Sequence, residues 1–116
     1  MRKLVERYSR ALVTGAGFGL GQAFAEALIG EGVAVWGTSR NPENLAKTEN
    51  LTPVKLDFVK EPGLRKWFEH WDHESGGFDL VVNNAGYSCL GPSGNMTAAE
   101  IENQLWVLLI GPIQLA

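Results

Sequence analysis

Short apolar runs alternate with helix-spaced stripes along the chain. Ala11-Leu12-Val13-Thr14 is a compact apolar run closed by glycines, the pattern of a buried strand. Phe24, Ala25, Ala27, Leu28 and Ile29 follow as an apolar helical stretch that Gly30 and Gly32 end. Val33-Ala34-Val35-Trp36 predicts a second strand. Asn41-Pro42 then predicts a helix, with a capping residue ahead of a proline at the first helical position. Val54-Lys55-Leu56 predicts a third strand. Pro62 opens a further helix, in which Leu64, Trp67, Phe68 and Trp71 recur at i, i+3, i+4 and i+7 as a core-facing stripe. Asp79-Leu80-Val81-Val82 predicts a fourth strand. Beyond a loop rich in Gly, Pro and Ser, Thr97 and Glu100 have the spacing of a capping box. The helix they open runs towards Ala116 with no stop signal beyond Gly111-Pro112.

The order is therefore strand and helix four times over. Near-continuous apolar strands must be covered on both faces, which implies a parallel sheet wrapped by helices through right-handed crossovers. The fold class is α/β. No internal repeat, low-complexity tract or linker divides residues 1–116, so they form one domain or part of one.

Composition narrows the function classes without choosing among them. Hydrophobic content of 45% and charged content of 20% are ordinary globular values. Ten basic and thirteen acidic residues give a net charge of -3, with neither sign clustered. A general attraction to nucleic acid or to an anionic membrane is not expected. Cys89 is the one cysteine, which excludes an internal disulfide and fits a reducing compartment. Met1 to Arg10 has no apolar block and does not read as a signal peptide. Leu105 to Ile110, the longest apolar run, is too short to span a bilayer. A cytoplasmic setting is the expectation.

The candidate chemistry begins at Thr14-Gly15-Ala16-Gly17-Phe18-Gly19-Leu20-Gly21, between the first strand and the first helix. A helix N-terminus offers free N–H groups and the positive end of its dipole, which together hold a pyrophosphate. Glycine permits the sharp turn into that helix and a close approach of backbone to ligand. A P-loop is excluded, because no Gly-Lys-Ser/Thr follows. Gly-x-Gly-x-x-Gly also fails: its third glycine falls on Leu20 counted from Gly15, and on Gln22 counted from Gly17. Thr-Gly-x-x-x-Gly-x-Gly fits, through Gly15, Gly19 and Gly21.

That motif, in that place, resembles the short-chain dehydrogenase/reductase family. The resemblance implies a Rossmann-type doubly wound sheet with strand order 3-2-1-4, and a dinucleotide held by Gly15, Gly17, Phe18, Gly19, Leu20 and Gly21. Three further positions agree. Ser39-Arg40 closes the second strand beside the expected adenosine ribose. An acidic residue there selects a free 2′-hydroxyl, whereas an arginine fork suits a 2′-phosphate, so NADP(H) is expected over NAD(H). Asp57-Phe58 follows the third strand, where the family's aspartate accepts a hydrogen bond from the adenine amine and the next residue's backbone borders the ring. Asn83-Asn84-Ala85-Gly86 matches the family's Asn-Asn-Ala-Gly, which implies cofactor contact at Asn84, Ala85 and Gly86 and asparagines that tie neighbouring strands.

The resemblance runs from Arg10 to Ala116 and covers about the first half of the family's fold. The family's catalytic Tyr-x-x-x-Lys is absent, since Leu12 and Gly91 stand four residues after Tyr8 and Tyr87. No catalytic residue is therefore assigned. Leu108 stands where the family's Asn-x-x-Gly carries the asparagine that supports a water relay, with Gly111 in place. His70 and His73, among Glu69, Asp72 and Glu74, lie beside the aromatic stripe on the expected wet face and are not read as a metal site. Cys89 reads as a passive thiol, and Trp36, Trp67, Trp71 and Trp106 as core or interface aromatics.

The implied function is the cofactor-binding half of an NADP(H)-dependent oxidoreductase acting on an alcohol or carbonyl substrate, inactive without the missing residues and expected to form a homo-oligomer. A non-catalytic dinucleotide-binding or regulatory module, or a truncated fragment, stays open as an alternative.

Overall fold

A computed structural model describes residues 6–59, 61, 63–86 and 93–115. Strand β1 (Arg10–Val13) leads through the glycine loop to helix α1 (Gly19–Gly30) and strand β2 (Ala34–Ser39). Strand β3 (Leu51–Lys55), helix α2 (Leu64–Ser75) and strand β4 (Leu80–Val82) follow. All pairings in the sheet are parallel and the order is β3-β2-β1-β4. This is the doubly wound α/β arrangement.

Burial explains the order. Ala11, Leu12 and Val13 of β1 have no exposed surface, as a strand flanked on both edges and covered on both faces requires. Ala11 and Val13 join Val35 and the α1 residues Ala25 and Leu28 in one core. Leu56, Phe58, Leu64, Val107 and Leu115 form a second core, with Trp67, Phe68 and Trp106 packed against it. Pro53 sits within β3 because β3 is an edge strand, where a missing N–H costs least.

The helix expected at Asn41-Pro42 does not form. The structure has a single 3₁₀ turn, Pro42–Asn44, and the Asn41 side chain caps nothing. Length is the reason. Only residues 40–50 connect β2 to β3. They must return along strands of roughly 17–20 Å, whereas a helix rising 1.5 Å per residue would spend the whole segment on roughly 16 Å and leave nothing for turns. One 3₁₀ turn, a short extended stretch and a second turn closed between Thr48 and Leu51 cover the distance. This path also lets Leu45 pack against the first core.

Helix α2 carries the expected stripe, with Leu64 buried and Trp67, Phe68 and Trp71 half-buried. It begins after Gly63; Pro62 lies outside the described residues. Gly76 ends it with φ of 88°, and the Gly76 and Gly77 N–H groups return to His73 and Asp72 carbonyls. Phe78 then stands edge-on to Trp36 with ring centres 5.5 Å apart, joining this corner to β2.

The last helix is not uniform. Helix α3 (Ala98–Leu105) opens with the Thr97/Glu100 capping box, widens into a π-helical turn at Trp106–Ile110, and continues as α4 (Gly111–Leu115). Pro112 has no N–H to return to Leu108, so the regular ladder breaks there. The Gly111 N–H bonds to the Trp106 carbonyl instead. A side chain at Gly111 would collide with the Phe58 ring, so this wide turn is where the helix meets the end of β3.

Candidate functional site

The glycine loop leaves β1 at the edge where all four parallel strands end. Gly15 and Gly19 have φ of 65° and 60°, which only glycine holds without strain. The Gly15 N–H donates to Thr38 Oγ1 at 3.2 Å and the Ala16 N–H to the Thr38 carbonyl at 2.9 Å, tying the loop to β2. A Cβ at Gly15 would stand 2.9 Å from the Ala85 Cα. One at Gly21 would overlap the Gly15 carbonyl and the Asn84 amide nitrogen. Glycine at these positions presses the start of α1 against the loop and the end of β4.

Thr14 and Asn84 form the lock. The buried Thr14 Oγ1 accepts the N–H groups of Asn84 and Ala85, each at 3.0 Å, and itself donates to the Val82 carbonyl at 3.4 Å. Asn84 Nδ2 donates to the Thr14 and Gly15 carbonyls, each at 3.2 Å. Asn84 thus bridges β4 to the glycine loop, while Asn83 is exposed.

This scaffold leaves the N-terminus of α1 open to an anion. Phe18 is the residue before the helix and supplies no side-chain cap, and the first turn holds no acidic residue. The first N–H groups of an α-helix have no acceptor within it, so here they and the dipole face outward. A Cβ at Gly19 would meet nothing within 4 Å, so the loop is open on that side. Phe18 and Leu20 are 80% and 73% exposed beside it. A pyrophosphate fits this donor set.

At the outer end of β2, Ser39 Oγ accepts the Asn41 N–H at 3.1 Å and lies 3.4 Å from the Cβ position of Gly17. Arg40, Asn41, Lys55, Asp57, Glu61 and Trp67 line one open depression. Asp57 Oδ1 accepts the Val59 N–H at 3.1 Å, closing a local turn. The Phe58 side chain is buried in the second core, leaving only its backbone available at the strand end. Gly86 lies under Leu108, whose Cδ2 would be 2.9 Å from a Cβ there.

The structure therefore gathers Gly15, Gly17, Phe18, Gly19, Leu20, Gly21, Ser39, Asn84 and Ala85 around the loop. Arg40, Asp57 and Phe58 stand at the outer corner, and Gly86 stands beside the last helix. Tyr8 lies at the opposite end of β1; Tyr87 and Cys89 lie outside the described residues. His70 and His73 are exposed on α2, and His70 packs edge-on to Trp71 at 5.0 Å. Among the described residues no group of three or more His, Cys, Asp or Glu could hold a metal ion, and no helix is long and apolar enough to cross a membrane. Sequence reasoning left out Thr14 and Thr38, whose hydroxyls hold the loop, and Lys55, which lines the outer depression. Thr14 had a signal, as the first residue of the matched motif; Thr38 and Lys55 had none.

The model of the short chain dehydrogenase family matches residues 9–116. The chain belongs to this family. Among curated short-chain dehydrogenase relatives, a 3-ketodihydrosphingosine reductase of Bacteroides thetaiotaomicron is 32% identical over 105 residues, covering 90% of this chain and 38% of its own. An NADPH-dependent 1-acyldihydroxyacetone phosphate reductase of Saccharomyces cerevisiae is 31% identical over 113 residues, with the same 90% and 38% coverage. The chain thus spans well under half the length of either relative. A metagenomic short-chain oxidoreductase solved in complex with NADP superposes with a TM-score of 0.84 at 29% identity, over 92% of this chain and 52% of that one.

Proposed function

We propose that this chain is the NADP(H)-binding part of an oxidoreductase that interconverts an alcohol and a carbonyl compound. When bound, the nicotinamide supplies hydride transfer. The residues of this chain hold and orient it. The uncapped N-terminus of α1 takes the pyrophosphate, Asp57 and the Phe58 backbone meet the adenine, and Asn84, Ala85 and Gly86 border the path towards the nicotinamide. Arg40, without an acidic neighbour at the end of β2, receives the 2′-phosphate.

The observation that carries the reading is the uncapped helix start, held by the Thr14–Asn84 lock next to a strand end bearing Arg40. The cofactors named for the yeast relative and the metagenomic structure support the choice of NADP(H). On this reading the chain is a partial domain that brings binding without a general acid or base, because neither tyrosine is followed by lysine at the family's spacing. The complete protein would supply those groups, work in the cytoplasm and assemble as a homo-oligomer.

Fluorescence titration with NADPH and NADH tests the cofactor choice. A charge-assisted hydrogen bond is worth about 1.5–3 kcal/mol, so Arg40→Ala is expected to reduce the NADPH-over-NADH preference by about 10-fold or more. An unchanged ratio overturns the assignment.

A further inference from the structure

The outer depression holds a second cation that the reading above does not use. Lys55 ends β3 and pairs in register with Ser39 of β2. Register partners on neighbouring parallel strands project from the same face, their backbones about 4.8 Å apart. Ser39 identifies that face, because its Oγ lies 3.4 Å from the Cβ position of Gly17. Lys55 therefore leaves the sheet on the side of the glycine loop. It is exposed and lines the same depression as Arg40. The Trp67 indole N–H donates to its carbonyl at 3.2 Å and fixes its backbone.

Two carboxylates share the depression, and their placement matters. Asp57 is engaged with the Val59 N–H, and Glu61 lies further along the chain beyond that turn. Among the described residues neither the Arg40 nor the Lys55 side chain is held in an ion pair or hydrogen bond. Both cations remain available to a ligand.

We propose that Lys55 is a second specificity residue, which shares a ribose 2′-phosphate with Arg40. The proposal rests on the dinucleotide reading above. A phosphate monoester carries about -1.5 to -2 charges at neutral pH and three acceptor oxygens, so one guanidinium neutralises only part of it. The arginine fork engages two oxygens in its plane, and an ammonium approaching from the neighbouring strand adds a compact charge on another side. A 2′-hydroxyl presents no such charge. Lys55 accordingly contributes to discrimination and leaves affinity for the rest of the nucleotide alone.

Isothermal titration with 2′,5′-ADP and 5′-AMP, which differ only in the 2′-phosphate, separates these contributions in the full-length protein and its Lys55→Ala, Lys55→Arg and Arg40→Ala variants. Lys55→Ala is expected to weaken 2′,5′-ADP by about 3- to 10-fold and to leave 5′-AMP within about 2-fold, with Lys55→Arg restoring the loss. If Arg40→Ala loses the 2′,5′-ADP advantage while Lys55→Ala keeps it, the Lys55 role is overturned and the NADP(H) reading stands. Equal losses of both probes in Lys55→Ala mark a structural effect and also overturn it. An unmodified protein that binds the two probes equally overturns the cofactor preference itself.

Discussion

At the residue scale, Thr14 shows how one hydroxyl can organise a site. It is buried, accepts two backbone N–H groups from the end of β4, and donates to a third residue of the same stretch. Valine has nearly the same shape but takes the acceptor from the Ala85 N–H and leaves the Asn84 N–H with the Val82 carbonyl alone. Thr14→Val is expected to cost about 1–3 kcal/mol of stability and to weaken dinucleotide binding, because the Asn84 and Ala85 backbones lose their common anchor. Urea denaturation and NADPH titration of the variant check both; an unaltered midpoint with unaltered affinity shows that the lock is dispensable. The glycines around it were legible in the sequence from motif spacing alone. The hydroxyl's role was not, since its partners stand about seventy positions away.

At the scale of elements, Asp79 joins the start of β4 to the start of β1. Its carboxylate accepts the Ser9 N–H at 2.8 Å and the Arg10 N–H at 2.9 Å. Partial burial pushes the Asp79 carboxyl up, but the backbone N–H bonds and the Arg10 charge outweigh it and leave it below its ordinary value of 3.8. A depressed acid stabilises the fold above its unfolded value, and that contribution is lost as the pH falls through the lower folded value. Asp79→Asn is expected to remove this part of the acid-side decline in stability while lowering stability at neutral pH. Thermal melts between about pH 2 and 7 compare the two proteins, and parallel curves would show that the junction does not titrate with folding. The strands that Asp79 joins were readable as apolar runs. The β2–β3 connection was misread as a helix, because the Asn-Pro start signal is local whereas the distance to be covered belongs to the sheet.

At the scale of the whole molecule, the described residues leave apolar surface uncovered. β4 has no partner beyond β1 among the described residues, and Leu80, Val81 and Val82 are only half-buried. Along the last helix Ile101, Leu105, Leu108, Leu109 and Ile113 are each 44–63% exposed, although Val107 and Leu115 are buried. An apolar edge strand and an apolar helix face each promote association. The 116-residue chain prepared alone is expected to self-associate. Light scattering at tens of micromolar checks this, and a compact monomer independent of concentration would refute it.

The sequence by itself determined the alternation of strand and helix, the parallel α/β class, the glycine turn into α1 and the capping box of α3. Each of these rests on near neighbours: a period, a φ angle, or a side chain reaching three residues along. Only the tertiary structure decided that Thr14 and Asn84 lock together, that Phe58 turns into the core, that Gly111 sits against its ring, and that Lys55 stands beside Ser39. These depend on register and packing between segments far apart in the chain. No local spacing encodes them, because they come into being when the strands pair.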